Sequence, residues 1–209
     1  MKKAFVLIVL FVLPIVAYLF FASGVNNFGK LPVLTENVNE IDFSKEIRFK
    51  DKITVLGFLG TNVDSRKGNA FNLNQKIYKR FHEFNDFQFV MIVPIGTENK
   101  VDKIKKELAT LSETDKWNFV FATQEEIKTL YSSLKTDIQL DDKLGTPFVF
   151  IIDKEFKLRG RAKDEDEGTK YGFNSNSVAD LNNKMVDDIK IVLAEYRLAL
   201  KKNNTERIK

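Results

Sequence analysis

Two apolar runs constrain this chain more than anything else in it. Ile53–Leu59 reads ITVLGFL and Phe87–Pro94 reads FQFVMIVP. Neither leaves a polar face for water, so each has the pattern of a strand covered on both sides. Between them, Ala70–Phe84 places Phe71, Ile77, Phe81 and Phe84 at helical spacings, with Lys76, Lys79, Arg80 and Glu83 on the other side. A buried strand, an amphipathic helix and a second buried strand predict a layered α/β domain.

The alternation continues. Lys100–Leu111 is helical on Val101, Ile104, Leu108 and Leu111, Asn118–Ala122 is a short strand, and Gln124–Leu134 is helical on Ile127, Leu130 and Leu134. Phe148–Asp153 is a strand, and a turn at Asp153-Lys154-Glu155 leads into a hairpin partner at Lys157–Arg161. A long last helix spans Val178–Lys201, with Leu181, Val186, Ile189, Val192, Leu193 and Tyr196 toward the core. The order predicts a mainly parallel central sheet with helices on both faces and a C-terminal β-hairpin. Residues 25–44, broken by Gly29 and Pro32, read as a linker, 45–201 as the folded domain and 202–209 as a flexible tail. Nineteen phenylalanines in 209 residues predict an aromatic core.

The N-terminus carries a different signal. Lys2 and Lys3 precede Ala4–Ala22, nineteen residues without a charge. As a helix this stretch is roughly 28 Å long, close to the apolar thickness of a bilayer. Residues 1–24 therefore read as one transmembrane anchor in a bacterial cytoplasmic (inner) membrane. The N-terminus stays inside and the domain lies on the periplasmic side. Ala22-Ser23-Gly24 leaves a cleaved signal peptide as the alternative.

Composition removes whole classes of chemistry. The sequence has no cysteine and one histidine, His82. Disulfide exchange, thiol nucleophiles, thiolate metal sites and multi-histidine sites all need side chains it lacks. No cofactor or metal is expected. The net charge of +4 is spread through mixed Lys, Glu and Asp runs, which does not point to nucleic acid. His82 lies late in the first helix, where Glu83 and Asp86 cannot converge on it, and reads as a boundary residue. Ser65 lacks a general base nearby in sequence. The acidic run KDEDEG, Lys163–Gly168, places its glycine one position early for a calcium loop and reads as a solvated connection.

Three segments carry a resemblance to a known family: VLGFLGTNVDSRKGNAF, FQFVMIVPIGTENKVDKIKKEL and LGTPFVFIIDKEFKLRGR. Together with the element order they resemble the thioredoxin fold as it occurs in the Sco/SenC family, membrane-anchored copper chaperones of cytochrome oxidase assembly. That family uses a Cys-x-x-x-Cys after the first strand and a histidine before the late strand, a soft donor set suited to copper. The resemblance puts those positions at about Val63, Lys67 and Gly145. Valine and glycine offer no side-chain donor and lysine brings a cation, so the resemblance implies a degenerate member. It also implies a cis peptide bond before Pro147, in Thr146-Pro147.

These readings converge on a membrane-anchored, thiol-free interaction or assembly factor, which the resemblance links to respiratory oxidase assembly. It would not be an enzyme. Its partner would be a protein, docked on Asn62, Asp64, Ser65, Arg66 and Thr146. The alternatives are a structural subunit of a membrane complex, or an enzyme using Asp64, Ser65 or Lys67 in the loop 61–69.

Overall fold

The two apolar runs form the centre of a seven-stranded sheet. The structure, a computed structural model, describes residues 10–16 and 29–207. The sheet contains β1 (Val33–Thr35), β2 (Ile53–Leu59), β3 (Phe87–Pro94), β4 (Trp117–Ala122), β5 (Gly145–Ile152) and β6 (Leu158–Arg159), in the order β1-β6-β5-β2-β3-β4. The ribbon of β7 (Arg161–Asp164) and β8 (Gly168–Lys170) stands apart, and β9 (Phe173–Asn174) pairs with β5.

Four helices cover the sheet. A short 3-10 turn at Val63–Arg66 leads into α1, built from Lys67–Leu73, a wide π turn at Asn74–Tyr78 and Lys79–Phe81. Helix α2 is Glu98–Ala109 and α3 is Gln124–Ser133. Helix α4 comprises Val178–Asp180, a second π turn at Leu181–Met185 and Val186–Arg207.

Both central strands are buried along their whole length, as their composition requires. Ile53, Val55 and Leu59 join Phe87, Phe89, Met91 and Val93 against α1, α2 and α4. Leu56, Phe58, Val90 and Ile92 face α3 and the N-terminal residues Val38, Ile41 and Phe49. Gly57 sits where Met91 crosses over it, since a Cβ there would lie 2.6 Å from the Met91 sulfur. The first of these layers is rich in rings. Phe89 stacks on Trp117 at 4.6 Å and meets the edge of Tyr78 at 5.5 Å. The Tyr78 hydroxyl donates to Asp115 at 2.8 Å, which satisfies its polar end.

Three readings of the sequence are corrected here. The sheet is mixed, not mainly parallel: β3 runs parallel to β2 and β4, but β5 is antiparallel to β2, β6 and β9, and β1 is antiparallel to β6. A strand buried on both faces has the same residue pattern in either direction, so composition cannot orient it. Residues 25–44 are not simply a linker. They contribute β1 and bury Leu31, Val38 and Ile41. The short strand and its Gly and Pro neighbours hide that pairing from periodicity. Helix α4 also continues to Arg207, through residues read as a tail. Most of the anchor segment Ala4–Ala22 lies outside the described residues. Within it, residues 10–16 are helical with exposed side chains. Among the described residues no helix is long and apolar enough to cross a membrane.

A buried cation ties the N-terminal stretch to the sheet. Arg159, 4% exposed, donates from Nη1 to Asp153 at 3.0 Å, from Nη2 to Glu195 at 2.7 Å and from Nε to the Leu31 carbonyl at 3.0 Å. The Leu31 amide donates to Glu195 at 2.8 Å. One guanidinium thus joins the chain before β1, the end of β5, β6 and α4. Replacing it strands the buried Asp153 carboxylate. Arg159→Met is therefore expected to cost about 3–5 kcal/mol in urea denaturation. A loss under about 1 kcal/mol would show that apolar packing alone holds these elements.

Candidate functional site

The candidate loop 61–69 follows β2. It lies at the carboxyl ends of β2 and β3, beside the start of β5. Gly60 opens it at φ +67, and a Cβ there would lie 2.4 Å from the Lys143 carbonyl. Only glycine tolerates both conditions. The Thr61 amide donates to that same carbonyl at 2.8 Å, and Lys100 of α2 donates to the Thr61 carbonyl at 3.0 Å.

Next comes the 3-10 turn. It points Val63 fully into the core. The Asn62 carbonyl accepts from the Ser65 hydroxyl at 2.8 Å and from its amide at 3.2 Å. Ser65 has no histidine or carboxylate partner among the described residues. Lys67 pairs with Glu107 of α2 and lies over the Phe71 ring at 5.6 Å. The three positions that the sequence resemblance singled out therefore do not converge. Val63 points inward, Lys67 turns to α2, and Gly145 lies beneath another side chain.

That side chain is Arg66. A Cβ at Gly145 would meet Arg66 Nε at 2.7 Å and the Leu59 carbonyl at 2.9 Å. The guanidinium donates from Nη2 to Asp141 Oδ2 at 2.6 Å. The other Asp141 oxygen accepts the Gly145 amide at 2.8 Å and the Lys143 amide at 2.9 Å. Arg66 thus lies across the cleft as a strap, and glycine at 145 leaves room for it. Partial burial works against the Asp141 charge. The two amides and the Arg66 cation outweigh it and hold the carboxyl below the ordinary carboxylate range.

Thr146 and Pro147 lie inside β5. The expected cis bond is not there, since the described residues contain no cis peptide. The trans form is intrinsically favoured by about 0.5–1 kcal/mol at X-Pro bonds, and Pro147 continues the strand β5. The Pro147 carbonyl instead accepts the Ser175 amide at 2.9 Å and its hydroxyl. Ser175 in turn accepts from Asn69 Nδ2 at 2.7 Å at its hydroxyl and from Asn72 Nδ2 at 3.0 Å at its carbonyl. Among the docking candidates Asp64 and Ser65 are exposed and Asn62 half-buried. Thr146 is buried, and Arg66 is committed to Asp141.

The remaining candidates fall elsewhere. His82 stacks on Tyr78 at 5.4 Å, with Nδ1 3.2 Å from the Tyr78 carbonyl. The acidic run forms the tip of the β7–β8 ribbon, with Asp164 and Asp166 each 2.6 Å from Lys184. No group of three or more potential metal ligands occurs among the described residues. Sequence reasoning missed Asp141, Glu107 and Ser175. Arg66 and Asp141 are 75 residues apart, and no local pattern joins them.

No family model and no curated protein matches the chain. Several solved structures do. BsSco, a member of the Sco family of cytochrome c oxidase assembly proteins, is 17% identical, with 76% of this chain and 92% of that chain covered at a TM-score of 0.48. A thiol:disulfide interchange protein of the thioredoxin family from Chlorobium tepidum TLS is 18% identical, covering 78% and 97% at 0.47. Copper-bound ScoI of Arabidopsis thaliana is 16% identical, covering 69% and 89% at 0.40. The strand order itself defines the class. Two parallel strands, β2 and β3, are joined by α1. An antiparallel pair, β5 and β6, is added beside β2, and α4 closes the layer. This is a thioredoxin-like α/β fold, extended at its edges by β4 and β1.

Two predictions follow from the strap. Val63→Cys, Lys67→Cys and Gly145→His introduced together should create no tight Cu(I) site in a competition titration. The first thiol would face the core, and the imidazole would collide with Arg66. Stoichiometric Cu(I) retention would refute this geometry. Second, Asp141→Asn should lower stability at neutral pH by up to about 1 kcal/mol, the range for a partly exposed pair. Because the folded-state pKa is depressed, wild type should lose this advantage as pH falls from about 4 through the folded value. An advantage independent of pH would exclude the carboxylate as its source.

Proposed function

We propose that this chain is a thiol-free thioredoxin-like docking module, held at a membrane by Ala4–Ala22, that serves as an accessory factor in assembling a membrane complex. One observation carries the reading. Arg66, paired with Asp141, lies over Gly145, the position that the Sco/SenC-like segments would give to a ligand histidine. Val63 is buried and Arg66 is held by Asp141, whereas Asp64 and Ser65 stay exposed to a partner. The pairing of Lys67 with Glu107, and of Ser65 with the Asn62 carbonyl, weighs against an enzyme in the loop 61–69. The setting of respiratory oxidase assembly comes from the Sco/SenC-like segments of the sequence.

The purified domain is expected neither to reduce insulin disulfides nor to retain Cu(I) against a competing chelator. A photo-crosslinker at Asp64 should yield one discrete adduct in gently solubilised membranes, and one at Lys190, on α4, should not. Tight Cu(I) retention would defeat the proposal, as would equal crosslinking from both positions.

A further inference from the structure

The β7–β8 ribbon carries almost no apolar side chain with which to pack on the core. Residues 161–170 read RAKDEDEGTK, and their only apolar side chain beyond glycine is Ala162, which is exposed. The ribbon pairs only with itself. What docks it is charge. Arg161 makes a two-pronged contact with Asp188 of α4 at 2.8 and 2.9 Å. Lys184 of α4 reaches back to Asp164 at 2.6 Å. Lys170, fully buried, lies between Glu167 at 2.7 Å and Asp180 at 3.0 Å. Asp164, Asp188 and Asp180 are thus balanced by Lys184, Arg161 and Lys170, with Asp166 and Glu167 at the solvent edge.

Such a network differs from an apolar contact in what opening costs. Ions taken out of water lose hydration roughly equal to what their pairing returns, and they recover it when released. Opening this ribbon exposes almost no apolar side chain of its own, so the hydrophobic term that locks the core hardly applies. We infer that the β7–β8 ribbon is an ion-latched flap, which opens as a unit while the seven-stranded sheet stays folded. Its effect reaches the candidate site. Asp180, which holds Lys170, also accepts the Asn174 amide at 2.7 Å. The next residue, Ser175, fastens Asn69 and the Pro147 carbonyl at the rim. An open flap removes the cation that positions Asp180. This inference does not depend on the docking proposal.

The test is amide hydrogen exchange on the full chain, with acylation of Lys170 as a second readout. Lys184→Met removes the nearer of the two cations at Asp164, leaving Arg161 at 3.6 Å, together with the cation of Asp166. It is expected to speed exchange across 161–170 at least tenfold and to accelerate labelling of Lys170, leaving β2 and β3 unchanged. Lys170→Met should speed the same amides and the Ser175 amide. Unchanged exchange in the ribbon of both variants would overturn the inference. So would acceleration that appears only in step with β3, or loss of the whole fold in both, since either makes the ribbon part of one cooperative unit with the core.

Discussion

Everything in this domain is arranged around the burial of β2. Its seven residues are enclosed on both faces, and its two edges are taken by β3 and β5. A strand in that position can tolerate no unpaired backbone group and no polar face. The parallel neighbour requires a crossover, which α1 provides. The antiparallel neighbour arrives by the loop from α3. Once both are in place, the carboxyl end of β2 must meet the amino end of β5, and the loop from Gly60 is brought against Gly145.

That meeting point accounts for the state of the cleft. Where two loops cross at the end of a sheet, a side chain must fill the space between them or leave it to solvent. Here Arg66 fills it. Its guanidinium needs a carboxylate, found in Asp141, and room, found over Gly145. The same carboxylate organises the loop before β5 by accepting two amides. Strap, turn and glycine form one structural unit. The absence of cysteine and the place of Arg66 over Gly145 are independent observations, one chemical and one steric.

The periphery follows a different physics. The β7–β8 ribbon contains too few apolar residues to be held by burial, whereas the N-terminal stretch also buries Leu31, Val38 and Ile41. Each is fastened by ions, through Arg159 in one case and through Arg161, Lys170 and Lys184 in the other. The Arg159 clamp lies among apolar neighbours such as Leu31 and Leu158, and it ties the ends of elements whose cores are already packed. The ribbon has no such support.

The sequence by itself determined the interior. Continuous apolar runs located β2 and β3. Spacings of three and four located most buried side chains of α1, α2, α3 and α4, because a side chain's environment repeats with the period of its element; Phe84 and Leu111, read as part of these faces, lie exposed past the helix ends. The lack of cysteine excluded thiol chemistry before any fold was known. Only the tertiary structure decided strand direction, the place of Val33–Thr35 in the sheet, the trans bond at Pro147 and the partner of Arg66. These depend on which distant residues meet. Arg66 and Asp141, or Leu31 and Glu195, carry no mark of each other along the chain. A charged residue reads as a solvated one until the fold puts a counter-charge beside it, which is why the candidate loop was legible in the sequence and the strap that closes it was not.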